Sequence, residues 1–189
     1  MTVIWIVLAA IVVLAAALWA SYNSLVRLRI KADEALSDIT VQMKRRFDLI
    51  PNLISTVKGY AKHEKSVLEN VTKARSAAMG AGKGDMSKKA EADNMLTSTL
   101  KSLFAVAESY PDLKANQNFI QLQTELADTE DKIQASRRLY NSNVTDFNTK
   151  LKVFPTNIIG NMLGFKSIDF FDVAESEKSA VNKAPEAKF

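Results

Sequence analysis

FIQLQTELADTEDKIQASRRLYNSNVTDFNTKLKVF, Phe119 to Phe154, is the stretch on which the fold class turns. Its stripe runs Phe119, Leu122, Leu126, Thr129, Ile133, Ser136, Tyr140, Val144, Phe147, Leu151 and Phe154, in steps of three and four. Such spacing places the whole set on one face of an α-helix, and no period-two alternation competes with it. A helix with a single apolar face is stable only when that face is covered, so the stretch demands helical partners.

Working backward from Phe119, the chain supplies them. Ser109-Tyr110-Pro111 is a tight break with Pro at a helix start. Before it runs a stripe of Ala92, Leu96, Leu100, Leu103, Ala107 and Tyr110. The loop MGAGKGDMS, Met79 to Ser87, holds three Gly and ends in Ser87 as candidate cap. A further stripe is Ile50, Leu53, Val57, Tyr60, Ala61, Val67, Leu68, Val71 and Ala78, and a first one is Leu25, Leu28, Ala32, Leu36, Ile39, Met43 and Phe47. Between these two, Asp48 can cap a new helix with Pro51 in its first turn. The reading is four helices, about 22–46, 49–79, 88–109 and 112–153, forming an antiparallel four-helix bundle in an all-α protein. A kink at Pro51 is the alternative to reversal there; it would leave the preceding half with fewer partners.

Working forward, FPTNIIGNMLGFKSIDFFDV, Phe154 to Val173, is apolar and carries few charges. Antiparallel counting returns it to the end where the first helix began. It either caps the bundle or lies in a membrane interface, with Phe165, Phe170 and Phe171 as candidate interface residues. Residues 174–189 are small, charged and Pro-containing, and are expected to be a disordered tail.

At the other end lies VIWIVLAAIVVLAAALWA, Val3 to Ala20. As a helix it spans roughly 27 Å, close to a bilayer core of about 30 Å. Val3, Trp5, Leu8, Ile11, Leu14, Leu18, Trp19 and Ala20 are its candidate transmembrane residues, with the two Trp near the ends as interfacial aromatics often are. A signal peptide is the rival, with Ala15 and Ala17 as a formal cleavage motif. The run is longer than a usual signal core, and no Lys or Arg precedes it. Arg27, Arg29 and Lys31 follow, so the positive-inside bias predicts an outer N-terminus and a cytoplasmic bundle. The domain reading is an anchor over residues 1–21, a bundle with its apolar closing segment over 22–173, and the tail.

The 189 residues are 47% hydrophobic and 24% charged, contain no Cys and one His, and carry a net charge of +4. Thiolate metal sites, Cys nucleophiles and disulfides are thereby excluded, and the charge makes only a weak case for nucleic acid, which is not expected as a partner. A di-metal site of the bundle type needs Glu-x-x-His, yet Tyr60 lies three residues before His63. G-A-G-K-G at Gly80–Gly84 lacks the spacing and the Ser/Thr of a phosphate loop. No catalytic, metal or cofactor residues are assigned, and no cofactor is expected. Lys44, Arg45 and Arg46 form a basic cluster: candidate partner-binding residues, or donors of ion pairs to Glu125, Glu130 or the acids of the following helix. Gln123, Glu130, Arg137 and Asn141 lie on or beside the last stripe, where polar groups usually fix register.

Together these segments resemble the LemA family of bacterial membrane proteins. The residues that carry the resemblance are YNSLVRLR at Tyr22–Arg29, SDITVQMKRRFDLIPNLISTVKGYAKHE at Ser37–Glu64, AESYPDLKANQNFIQLQTELADTEDKI at Ala107–Ile133, RRLYNSNVTDFN at Arg137–Asn148 and FPTNIIGNMLGF at Phe154–Phe165. Phe147 stands where Tyr is common in such proteins. The resemblance implies a single-pass protein of the bacterial cell membrane with a helical bundle and no established enzymatic activity. It also implies kinship with proteins of magnetosome membrane formation, and it suggests a membrane metallopeptidase as partner.

The functional expectation is therefore a membrane-anchored scaffold or adaptor that presents a protein-interaction surface. It would meet lipid through its anchor and an unidentified protein through its bundle. A small-molecule- or lipid-binding bundle, or an accessory subunit of a membrane protease system, is the alternative. Self-association would use the small residues Ala9, Ala10 and Ala15–Ala17, although no G-x-x-x-G is present.

Overall fold

The computed structural model describes residues 1–81 and 85–171. Within them the protein is all-α, with six helices and no strand: α1 Thr2–Tyr60, α2 Lys65–Gly80, α3 Met86–Ala107, α4 Pro111–Lys114, α5 Gln117–Lys152 and α6 Thr156–Met162. Residues 172–189, and with them the tail expected over 174–189, lie outside the described residues. The chain divides into two compact units. An anchor unit holds Met1–Ser37 and Ser136–Asp169, and a bundle unit holds Asp38–Ala135 with Phe170 and Phe171.

In the bundle unit the expected reversal at Asp48–Pro51 does not occur. Helix α1 continues through Pro51 to Tyr60, and the chain turns instead over Ala61–Glu64. A proline inside a helix removes one backbone bond and crowds the carbonyl four residues earlier, at about 3 kcal/mol. Two features carry α1 past it. The Pro51 ring faces solvent, while Ile50, Leu53 and Val57 around it are fully buried. The carbonyl that Pro51 leaves without its helical donor is Phe47 O, and Arg75 Nε of α2 donates to it at 2.8 Å. Asp48 is thus an exposed residue within a helix and caps nothing.

Beyond the turn the up-and-down order holds. Arg75 of α2 meets Phe47, so α2 runs back along α1. Helix α3 runs parallel to α1, with Lys89 by Thr40 and Asp93 by Arg46. Helix α5 is antiparallel to α1, with Asn116, just before it, bonded to Tyr60 and with Glu130 bonded to Arg46. The core joins Ile50, Leu53 and Val57 of α1, Val71 of α2, Leu96 and Leu103 of α3, Leu113 of α4 and Leu126 of α5. Each fully buried aliphatic side chain there is worth roughly 1.5–3 kcal/mol. The cap of α3 is Asp85 rather than Ser87: the Asp85 carboxylate accepts from Lys88 N at 3.1 Å. Pro111 opens only the short α4, after which Asn116 Oδ1 accepts from Phe119 N at 3.1 Å to start α5.

In the anchor unit, the Tyr22–Lys31 stretch of α1 packs with the end of α5, α6 and the strap that follows. Leu25, Tyr140, Val144 and Phe147 are buried. Gly160 permits close approach: a Cβ there would collide with Leu151 Cδ1 and stand 3.5 Å from Leu25 Cδ1. Helix α6 ends in a Schellman cap, with Gly164 at φ +75°, Phe165 N donating to Gly160 O at 3.0 Å and Gly164 N to Asn161 O at 3.2 Å. This turn sends Phe165 between Tyr22 and Phe147, at ring separations of 6.1 and 6.2 Å. The strap then runs back along α5. Asn148 holds both backbone groups of Ile168 at 2.9 Å, and Tyr140 Oη donates to Asp169 O at 2.8 Å.

Candidate functional site

Two places combine unusual chemistry with definite geometry. The first is in the bundle unit, at Arg46. This residue lies on the buried stripe of α1, three residues after Met43 and four before Ile50, and its side chain is 1% exposed. Opposite it on α3 is Asp93, fully buried three residues from both Ala90 and Leu96. Arg46 Nη2 donates to Asp93 Oδ1 at 3.0 Å and to Thr97 Oγ1 at 2.8 Å, while Nη1 pairs with Glu130 Oε2 of α5. Thr97 Oγ1 also reaches Glu130 at 3.3 Å, and Gln134 Nε2 donates to Glu130 Oε1 at 2.8 Å.

The charges nearly balance. Lys89 stands beside Asp93 and donates to Thr40 Oγ1 at 3.2 Å. Burial pulls its ammonium below the ordinary lysine value, and the Asp93 charge opposes that. For Glu130, burial alone would raise the carboxyl. The Arg46 charge, with hydrogen bonds from Gln134, Arg46 and Thr97, outweighs it and holds the group below its ordinary value. Two cations thus face two carboxylates. An apolar set of the same volume could fill this space, and often at no loss of stability. What the charges add is a single register, because rotating α1 by one residue would carry Arg46 off the buried face and leave Asp93 buried without its cation.

This geometry separates the predicted basic cluster. Arg46 is consumed inside the bundle. Arg45 is about half exposed, with Nη2 3.8 Å from Glu125 Oε2, and Lys44 is exposed. The two ion pairs to Glu125 and Glu130 are those the sequence offered as the alternative to partner binding. Lys44 and Arg45 alone remain available to a partner. A shallow apolar groove of about 240 Å³ opens beside the cluster, lined by Leu100, Phe104, Leu126 and Ala127. Arg46 and Glu130 form its polar end and are bonded to each other there. Among the described residues no group of three His, Asp or Glu side chains could hold a metal ion. His63 sits in the turn between α1 and α2, exposed.

The second place is in the anchor unit. Every candidate transmembrane residue, Val3, Trp5, Leu8, Ile11, Leu14, Leu18, Trp19 and Ala20, is exposed. The helix that carries them is long and apolar enough to cross a membrane. Of the three predicted interface aromatics, Phe171 is buried at 1% exposure, Phe165 is held between Tyr22 and Phe147, and Phe170 is exposed. The large exposed apolar residues of the segment are instead Phe154, Ile158, Met162 and Leu163, the first at 80% and Met162 at 77%. The sequence reading names only the aromatics; the helical period of Ile158, Met162 and Leu163 is the available signal.

An all-helical bundle with an interior ion-pair cluster, together with a bare apolar helix, defines a membrane-associated helical protein. The comparisons carry this further: a model of the LemA family matches residues 35–189, and the chain belongs to that family. It is 31% identical over 160 residues to Protein LemA of Metamycoplasma hominis, covering 85% of this chain and 73% of the relative. It is 24% identical to Magnetosome protein MamQ of Magnetospirillum gryphiswaldense, covering 79% of this chain and 64% of the relative. It is 25% identical to Magnetosome protein MamQ 2 of Paramagnetospirillum magneticum, covering 85% and 68%. The chain therefore spans about two thirds of the length of the magnetosome proteins, and none of these names states an enzymatic activity.

Proposed function

We propose that the chain is a non-catalytic scaffold or adaptor of the bacterial inner membrane. One helix anchors it, its N-terminus lies outside, and its bundle presents a docking surface in the cytoplasm. The observation that carries the reading is the closure of the Arg46 cluster. One buried cation, Arg46, faces the carboxylates of Asp93 and Glu130, so the bundle interior spends its polar chemistry on its own register. What the bundle offers to others is then its surface, where Lys44 and Arg45 stand exposed on α1. An acidic protein surface suits them, and a membrane metallopeptidase is the partner that the family resemblance suggests.

Capture of the full chain from crosslinked native membranes tests this. A stoichiometric protein partner, weakened by Lys44→Glu with Arg45→Glu, is the expected result. A small molecule retained in the groove beside Leu100 and Phe104, with no protein captured, would replace the scaffold by a binding bundle. Orientation is read from Ser98→Cys, an exposed position in this Cys-free chain. With the outer envelope opened and the inner membrane sealed, it should resist an impermeant maleimide. Labelling under those conditions would reverse the topology.

A further inference from the structure

We infer that α6 is a second membrane contact: it lies in the interfacial layer beside the α1 span, with acyl chains filling the cleft between them. The inference rests on reading α1 as the membrane anchor. The cleft measures about 490 Å³ and is lined by Ala15, Leu18, Trp19 and Tyr22 of α1, by Ile159 and Met162 of α6 and by Leu163 just after it. Its α1 wall is the end of the exposed apolar span, so the cleft is continuous with the surface that meets lipid.

The rest of α6 fits the same medium. Phe154, Ile158, Met162 and Leu163 are exposed, an arrangement that water disfavours. No Asp, Glu, Lys or Arg occurs from Val153 to Phe165. Cations bracket that stretch, with Lys150 and Lys152 before it and Lys166 after it, and Arg27, Arg29 and Lys31 follow the span on α1. An apolar patch bordered by lysines and arginines is the pattern of an interfacial segment on anionic lipid. The position is built in. Gly160 allows α6 to close on Leu25 and Leu151, the Schellman turn at Gly164 ends it, and Phe165 is held between Tyr22 and Phe147. The segment is only seven residues long and could not hold a bilayer alone; as an addition to the span it sets the depth at which α1 sits.

The test uses the full chain in vesicles of phosphatidylcholine and phosphatidylglycerol. Since the chain has no Cys, single fluorophores can be placed at Ala9→Cys, Met162→Cys and Met79→Cys. Lipids carrying spin labels near the headgroup or deep in the acyl chain serve as quenchers. The expected result is quenching of Met162→Cys by the shallow label and of Ala9→Cys by the deep label, with Met79→Cys unaffected. Quenching at position 162 should be lost when Ile158→Asp and Leu163→Asp are added, both exposed positions. Quenching at 9 without quenching at 162 would overturn the inference and leave the anchor standing. Equal quenching at 162 and 79 would mean non-specific adsorption and would also overturn it. No quenching at 9 would remove the anchor, and the inference with it.

Discussion

The Arg46 cluster and the α6 segment depart from the usual distribution of polar and apolar groups in opposite directions. At Arg46, charges are buried; around Met162, large apolar side chains are bare. A buried charge is tolerable only with partners, and the bundle unit supplies them from two further helices, α3 and α5. A contiguous exposed apolar face usually marks a surface that another body covers, and within the anchor unit these side chains stay exposed. The contrast teaches where each region's energetics close. The first pairs its charges within the protein and reads as architecture. The second leaves its apolar face uncovered, and on the inference above lipid completes it.

The comparison breaks most easily at Arg46. Arg46→Met would leave Asp93, fully buried, and Glu130 without their cation, a loss of about 3–5 kcal/mol. Urea or thermal unfolding of the bundle signal, followed by circular dichroism in detergent, measures it. A change below about 1 kcal/mol would show that the cluster is not closed as described.

Next is the link between Arg75 and Pro51. Arg75→Met strands the Phe47 carbonyl, costing about 1–3 kcal/mol. In a Pro51→Ala background the helix regains its own donor to that carbonyl, so the same substitution should cost about 1 kcal/mol less. Equal costs in both backgrounds would show that Arg75 serves something other than the proline.

Acid sharpens the contrast further. The folded state holds the Glu130 carboxyl below its ordinary value of 4.5, so it binds its proton less readily than the unfolded chain does. Its contribution is therefore present above the unfolded value and is lost as pH falls through the folded one. Stability should decline below about pH 4.5, and Glu130→Gln should flatten that decline. An unchanged slope would refute the assignment.

The smallest effect is expected at Arg45. Its partner Glu125 is 3.8 Å away and both side chains are partly exposed, so Arg45→Ala should change stability by no more than about 0.5 kcal/mol. A large loss would place Arg45 with its neighbour inside the bundle.

Much of this was legible before any coordinates. The stripes through Leu96–Ala107 and Phe119–Phe147 are the faces that are buried, and the Gly-rich loop separates α2 from α3. The turn was misplaced because Asp48 and Pro51 form a sound local start signal, whereas the donor that rescues a continuous helix sits 28 residues away. The stripe's gap from Ala61 to Val67 was the better marker of the reversal, since no apolar residue there required cover. Arg46 also had a signal: it falls in step with Met43, Ile50, Leu53 and Val57, as Asp93 does with Ala90 and Leu96. Reading Lys44-Arg45-Arg46 as one run obscured the helical period that separates them.

The sequence by itself determined that the protein is helical, that its first turns are apolar enough for a membrane and that the chain returns on itself in an up-and-down order. These follow from local periodicity and from segment length, which neighbouring residues set. Tertiary structure decided which charge goes inside, where α1 ends and which apolar residues of the closing segment stay bare. Those outcomes depend on partners 47 and 84 residues from Arg46, on Arg75 beside Phe47, and on the turn at Gly164 that sets Phe165 between Tyr22 and Phe147 and leaves Met162 outside. A helix states which residues share a face; only a second helix states whether that face has company.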